Sequence, residues 1–345
     1  MKSLVSRAAP IVVAIIAIAV SVCAYQWGRR SARGVTATDG PAFAGPKVPM
    51  FQIVGDSMAP TLTDGQVYQI SDVREELWIG DVVAIEWDGK RHVKRIAALG
   101  GNRVDLVDGR LTIDGRRLED VIATRADSGQ GRDAFLPPAL VAVESQPDHW
   151  NRSDAAANWL VYGYRNPYQA GRITAVMDDY PTNHSVRRIL NPVDRLVIQI
   201  RPRAGGTAPK SNPIVAVTFF DPSHAIVATQ ARSGQARYRD ARPEVAGASA
   251  DREQLVAALD AAHPVAVQLN QHQADRYTLH VYREIEYRDD RPSGTVSYPI
   301  TLAADDVFVV GDNVPVSVDS RTVGPLKQSA VVGKVVRPAE LAQGR

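Results

Sequence analysis

The 345-residue chain holds one cysteine, Cys23. A lone thiol excludes an intrachain disulfide and any multi-cysteine metal site. The 7 histidines show neither HExxH nor another paired ligand spacing, which argues against a zinc enzyme. A charge excess of one sign is missing too: 40 Lys+Arg stand against 38 Asp+Glu, a formal net charge of +2. No overall basic field therefore marks a nucleic-acid partner. The acidic pairs Asp178-Asp179 and Asp289-Asp290 lack further ligand spacing and read as turns. No repeat of fixed period runs through the chain. The expected complement is no metal, no cofactor and no nucleic acid.

What is present is an ordinary globular composition, 45% hydrophobic and 23% charged. The length fits about two domains. Residues 10 to 27, PIVVAIIAIAVSVCAYQW, carry no charge. At about 1.5 Å per residue such a helix just crosses a hydrocarbon core of about 30 Å. Tyr25 and Trp27 would lie at the interface, with Arg29, Arg30 and Arg33 beyond it. A single-pass anchor and a cleaved signal peptide both fit; the arginine cluster favours the anchor. Residues 31 to 47 are small, with Gly and Pro, and read as a tether.

From Val48 the pattern is of short strands with Gly or Asp breaks: VPMFQIV, QVYQI, GDVVAIEW and HVKRIAAL. The stretch RVDLVDGRLTIDGRRL predicts a hairpin, with turns at Asp108-Gly109 and Asp114-Gly115. Further strands are expected in LVAVES, WLVYGY, RLVIQI, PIVAVTFF, HAIVATQ, PVAVQL and YTLHVYREIEY, then in DVFVVGDN and SAVVGKVV. One amphipathic helix is expected at 251 to 262, where Leu255, Ala258 and Leu259 form a stripe. Outside the anchor the expected class is mainly β.

Three segments carry the polar groups that look placed. They are Gly55-Asp56-Ser57-Met58-Ala59-Pro60-Thr61, His92-Val93-Lys94-Arg95, and Gly311-Asp312-Asn313 followed by Ser317-Val318-Asp319-Ser320-Arg321. A serine hydroxyl needs a base to act as a nucleophile. A lysine serves only when neutral, and burial lowers its ordinary pKa of about 10.4 toward that state. Lys94, flanked by Val93 and Ile96, is such a candidate; Lys90, in the turn Asp88-Gly89-Lys90, stays solvated.

In this order, behind an apolar N-terminal segment, the three segments resemble the type I signal peptidases, membrane-bound Ser-Lys proteases that remove leader peptides. The matching residues are Ser57-Met58-Ala59-Pro60-Thr61, then Gly80-Asp81-Val82-Val83 with Lys94-Arg95, then Gly311 to Arg321. The likeness covers roughly residues 10 to 120 and 305 to 337. It implies Ser57 as nucleophile, Lys94 as general base and Ser317 as the group that orients Lys94 by a hydrogen bond. It implies the Ser57 N–H as one oxyanion donor, and Met58 in the pocket for a small side chain. Arg95, Asp312, Asp319 and Arg321 would be ion pairs that support the site. Three departures stand out: Gly55 where some relatives carry a second oxyanion hydroxyl, Val314 where arginine is common, and Val323 where tryptophan is common.

The fold implied is a transmembrane helix and a signal-peptidase-like β catalytic core with a large inserted mainly-β domain. The expected division is 1–30 cytoplasmic tip and anchor, 31–47 linker, 48–120 first part of the core, 121–304 insert and 305–345 second part of the core. The insert's aromatic residues, Trp150, Trp159, Tyr162, Tyr164, Tyr168 and Tyr180, either fill a β core or stack on sugars or peptides. The implied function is a cell-membrane serine endopeptidase, its catalytic domain extracytoplasmic. Its partners would be signal-peptide-bearing preproteins, cut after small residues in an Ala-x-Ala-like pattern, and the lipid bilayer. The alternatives are a Ser-Lys peptidase with a specialised substrate, or an inactive relative that binds as an envelope β-sandwich.

Overall fold

The computed structural model describes residues 50–71, 76–128, 135–143, 147–152, 159–180, 182–183, 186–202, 214–217, 226–229, 235–237, 259–268, 277–290 and 296–336. The apolar run 10–27, the tether 31–47 and residues 251–258 of the expected helix lie outside these. Among the described residues no helix is long and apolar enough to cross a membrane. The described chain is mainly β, and it falls into two compact units. One takes the chain up to Pro138 and from Tyr287 onward; the other is Ala139–Glu286.

The first unit opens with β1 (Met50–Gln52), β2 (Val67–Ile70), β3 (Val82–Trp87) and β4 (Lys90–Leu99). β5 (Arg103–Val107), β6 (Arg110–Ile113) and β7 (Arg116–Arg117) follow, and lead directly into helix α1 (Leu118–Ser128). Three Asp-Gly turns shape this half. Asp88-Gly89, Asp108-Gly109 and Asp114-Gly115 all have positive φ, from 50° to 78°. Two-residue hairpin turns of this twist require that conformation at both positions, which Asp tolerates and Gly favours. Helix α1 was absent from the sequence expectation. It buries Leu118, Ile122 and Ala123, with Glu119 and Asp120 in its first turn and Arg125 in its last.

The second unit contains β8 (Val141–Val143), β9 (Trp150–Arg152), β10 (Trp159–Tyr162), β11 (Tyr164–Asn166), β12 (Arg172–Thr174) and β13 (Leu196–Pro202). It continues with β14 (Ile214–Val217), β15 (Ile226–Thr229), β16 (Gln235–Arg237), β17 (Val265–Gln268) and β18 (Tyr277–Arg283). Two antiparallel sheets, β15-β14-β17-β10-β9 and β16-β13-β18-β8, share one apolar core. Val265 and Val267 of the first meet Leu196, Ile198 and Val281 of the second. Trp159, Tyr162, Tyr164 and Tyr180 are buried and Trp150 packs on that core, so these rings serve as core; Tyr168 is exposed.

The chain then returns to the first unit with β19 (Ile300–Thr301), β20 (Asp306–Val310), the single turn α2 (Ser320–Val323), β21 (Leu326–Lys327) and β22 (Val331–Val336). The main sheet runs β1-β2-β22-β3-β4-β20-β21. β3 and β4 are therefore interior, and their apolar runs are buried on both faces: Val82 to Ile85, and Val93 to Ala98 with the polar pair Lys94-Arg95 inside it.

Candidate active site

Successive side chains of a strand point to opposite faces. Lys94 and Arg95 therefore leave β4 in opposite directions, and each meets a different part of the site. Lys94 pairs across the sheet with Val83, and Arg95 pairs with Val82 on one side and Val310 on the other. A register shift between Phe308 and Val309 lets β20 end level with Arg95. Such a bulge re-aims the residues beyond it, and Gly311, Asp312 and Asn313 follow at once.

Ser57 lies in the turn after β1. The Ala59 N–H donates to Asp56 O and the Leu62 N–H to Met58 O. Gly55 has φ +86°, a conformation that favours glycine, and its N–H donates to Asp64 Oδ1. The Asn313 N–H donates to Ser57 O across 3.1 Å, which ties the turn to the segment after β20. Gly311 permits that approach: a Cβ there would fall 2.4 Å from Ser57 O and 2.1 Å from Ser317 Oγ.

The structure brings Ser57 and Lys94 together. Lys94 Nζ donates to Ser57 Oγ across 2.9 Å, from 37 residues away in sequence. Lys94 is 2% exposed. Burial pushes its pKa down from 10.5 to about 8, against the nearby carboxylate of Asp319 and with the help of Arg321. Desolvation penalises the ammonium form, so the neutral amine becomes accessible near neutral pH. Lys90 is exposed.

The expected ion pairs lie around this centre. Arg95 and Asp312 are both fully buried and meet in a two-pronged pair, Nε to Oδ1 at 2.8 Å and Nη2 to Oδ2 at 2.6 Å. Arg95 Nη1 donates to the carbonyls of Gly80 and Leu136, each at 2.7 Å. Asp312 also accepts from Tyr287 Oη at 2.9 Å and from Thr61 Oγ1. Hydrogen bonds this complete offset much of the cost of taking the two charges out of water. Asp319 caps α2 and accepts from the Gly311 and Arg321 N–H groups and from the Arg321 guanidinium. Burial alone would raise its pKa, but Arg321 outweighs that, with Lys94 and the Gly311 amide adding to the effect; the carboxyl is held below its usual range. Arg321 donates further to Arg288 O and Val314 O.

One expected contact is not made in this structure. Ser317 is not bonded to Lys94: its Oγ is buried and has no hydrogen-bond partner. The hydroxyl is turned against Gly311, as the 2.1 Å approach to a Cβ there shows. Met58 is 1% exposed, packs with Phe51, Ile53 and Leu62, and also lines a cleft of about 310 Å³ that contains Ser57 and Lys94. Val318 and Val323 line the same cleft, and among the described residues, its own chain neighbours aside, no atom lies within 4 Å of a Cβ built on Gly55.

Sequence reasoning missed several residues here. Tyr287, Thr61 and the carbonyl of Leu136 complete the Arg95–Asp312 pair; only Thr61 stood in a recognised motif. His92 was quoted without a role. Its ring stacks on Trp87 with centroids 3.7 Å apart, and burial, with the charges of Lys94 and Lys90, lowers its pKa to about 4. It is therefore neutral wherever Lys94 can be. Among the described residues no group of three His, Cys, Asp or Glu could hold a metal.

Comparison with known proteins gives two findings. A segment of 176 residues, half of this chain, is 28% identical to translation initiation factor IF-2 of Stenotrophomonas maltophilia (strain K279a). That likeness spans 19% of the factor's length and assigns no family. The model of the family described as signal peptidase, peptidase S26, matches residues 45–161 and 250–339. These segments make up more than half of the chain and contain Ser57, Lys94, Arg95, Asp312, Ser317, Asp319 and Arg321. The chain belongs to the signal peptidase family, peptidase S26.

Proposed function

We propose that the protein is a membrane-anchored serine endopeptidase that removes leader peptides from exported proteins, with Ser57 as nucleophile and neutral Lys94 as general base. The observation that carries this reading is the 2.9 Å approach of Lys94 Nζ to Ser57 Oγ inside a site that excludes water from the amine. In the working state the donor and acceptor exchange roles, so that the hydroxyl donates to the amine lone pair. As Oγ bonds to the scissile carbonyl carbon, its proton passes to Nζ. The resulting ammonium gives that proton to the leaving amine as the C–N bond breaks. A water, deprotonated by the regenerated amine, then attacks the ester carbonyl; as the acyl–Oγ bond breaks, the ammonium returns the proton to Ser57 Oγ and the acyl product leaves as a carboxylate.

The surroundings suit this sequence. At pH 7 a pKa of about 8 leaves about 10% of the amine neutral, about 300-fold more than an unperturbed lysine. The Ser57 N–H supplies one oxyanion donor. Gly55 offers no hydroxyl, so the second donor is a group other than a side chain at that position. Met58, Val318 and Val323 give the cleft an apolar part suited to small side chains, in keeping with cleavage after an Ala-x-Ala pattern, while Asp88, Lys90 and Arg91 line another part of it. In this reading residues 10 to 27 anchor the enzyme beside substrates whose own apolar leaders lie in the same bilayer, on the extracytoplasmic side.

Purified protein assayed on an Ala-x-Ala leader peptide tests the reading. Ser57→Ala and Lys94→Ala should each cost at least about a thousandfold in kcat. Full activity in either variant would remove the dyad.

A further inference from the structure

Three buried charges of the first unit take no part in this chemistry. Asp81 is 1% exposed, Arg125 8% and Lys334 5%. They come from the turn before β3, from the last turn of α1 and from β22. Arg125 Nη2 approaches Asp81 Oδ1 to 2.6 Å, a contact of charges too bent for a directed hydrogen bond. Lys334 Nζ lies 3.2 Å from Asp81 Oδ2, which also accepts from the Trp78 N–H at 2.9 Å. Both cations thus meet the Asp81 carboxylate, and each also donates to a carbonyl of the segment before it, Lys334 Nζ to Glu76 O and Arg125 Nη1 to Ile79 O. Burying charge is costly, and apolar side chains of similar volume often hold a core as well or better. Stability alone is a poor reason for this cluster.

Its location gives a better one. Gly80, next to Asp81, presents the carbonyl that receives Arg95 Nη1 at 2.7 Å. The Gly80 N–H donates to Ile96 O, and the Ile96 N–H donates to Asp81 O, each at 2.8 Å. The turn is thereby fastened to β4 two residues past Lys94. Gly80 has φ +96°, and a Cβ there would meet Phe135 at 3.2 Å and Arg125 at 3.6 Å, so glycine lets the α1 side close on the turn. A second route crosses the sheet: Lys334 pairs with Val83, and Val83 with Lys94. A third continues from Arg95 to Asp312, whose neighbour Asn313 holds the Ser57 carbonyl.

We infer that Asp81, Arg125 and Lys334 are positioning residues that set the separation of Lys94 and Ser57, acting through the Gly80 peptide, Arg95 and the β22–β3–β4 register. They touch neither substrate nor the reacting atoms. The inference rests on the Ser57–Lys94 reading above.

The test uses the full-length protein and a leader peptide, with kcat and KM measured from pH 6 to 10 beside urea unfolding. Asp81→Asn leaves two cations around a neutral amide; Asp81→Asn/Lys334→Met removes one cation with the carboxylate and restores the original charge sum. The double variant still leaves Arg125 beside a neutral amide and should unfold at lower urea than wild type, so its rate is taken per folded molecule. On that basis it should lose kcat at least about tenfold and keep KM within about twofold, because a misplaced reacting group costs rate more than binding. Its rate should also rise at higher pH than in wild type, as water reaches the amine. The groups whose charges act on Lys94, Asp319, Arg321 and Asp312, are unchanged in every variant, as is neighbouring His92. Arg125→Lys should recover most of the kcat that Arg125→Ala loses. A kcat that falls only with the folded fraction, at an unmoved pH midpoint, overturns the inference, and so does failure of every variant to fold. Ser57→Ala separates the two levels. If it is inactive while the Asp81 variants cleave as wild type, only the positioning role falls; if it is active, the dyad itself falls.

Discussion

Lys94 is a lysine kept from water, and its proposed role as a base and its cost to stability have the same origin. Burial lowers its pKa from 10.5 to about 8. The unfolded chain holds that proton up to about pH 10.5, the folded chain only up to about 8. Stability is therefore penalised fully below pH 8, recovers between 8 and 10.5, and is free of the penalty above. The full penalty is up to about 3 kcal/mol. Lys94→Met should thus raise the urea midpoint at pH 6, the gain should fade toward pH 10.5, and cleavage should be lost. An equal or lower midpoint at pH 6 would show that the amine is not held out of water. The candidacy of Lys94 was legible in the sequence, because Val93 and Ile96 flank it in a strand-like run. The orientation of the Ser317 hydroxyl was not, since it depends on a side-chain rotamer packed against Gly311. The partners of Asp312 were equally hidden: Tyr287 lies 25 residues away in sequence and Thr61 lies 251 away, and nothing local announces either.

At the scale of the element, the alternation of β4 sends Lys94 toward Ser57 and Arg95 toward Asp312. The register shift in β20 brings Asp312 to the same level. Asp312→Asn would leave the Arg95 guanidinium buried without a counter-charge, although its bonds to Gly80 O and Leu136 O would remain. A loss of about 3–5 kcal/mol in urea unfolding is expected; a change below about 1 kcal/mol would mean that water enters beside Arg95. The hairpins β3–β4 and β5–β6 were legible because Asp-Gly between strand-like runs specifies turn and register together, and β6–β7 from its Asp-Gly turn alone. Helix α1 was harder to see. It follows β7 without a break, and its apolar positions are few, with Leu118 and Ile122 one turn apart. The very short strands, such as β19 and β21, have no pattern long enough to read.

Over the whole molecule, the chain leaves the first unit after Pro138 and re-enters it at Tyr287. Both sides of the excursion hold the same ion pair, Leu136 O through Arg95 and Tyr287 Oη through Asp312. A flexible linker of about eight residues spans roughly 15 Å. A chain in which such a linker replaces residues 139–286 should fold and cleave a short leader peptide within about tenfold of wild type; an unfolded or inactive product would make the second unit integral to the site. The mainly-β character of that unit was legible from its alternating runs, and its buried Trp and Tyr rings follow from the shared core of its two sheets. The central claim, that Lys94 is the base for Ser57, is tested most directly by kcat/KM on an Ala-x-Ala peptide against pH, in wild type and in Lys94→Arg. The expected wild-type curve rises through a midpoint near pH 8 to a plateau, and Lys94→Arg, which cannot deprotonate, is inactive at every pH. Cleavage by Lys94→Arg with the wild-type pH curve would contradict it.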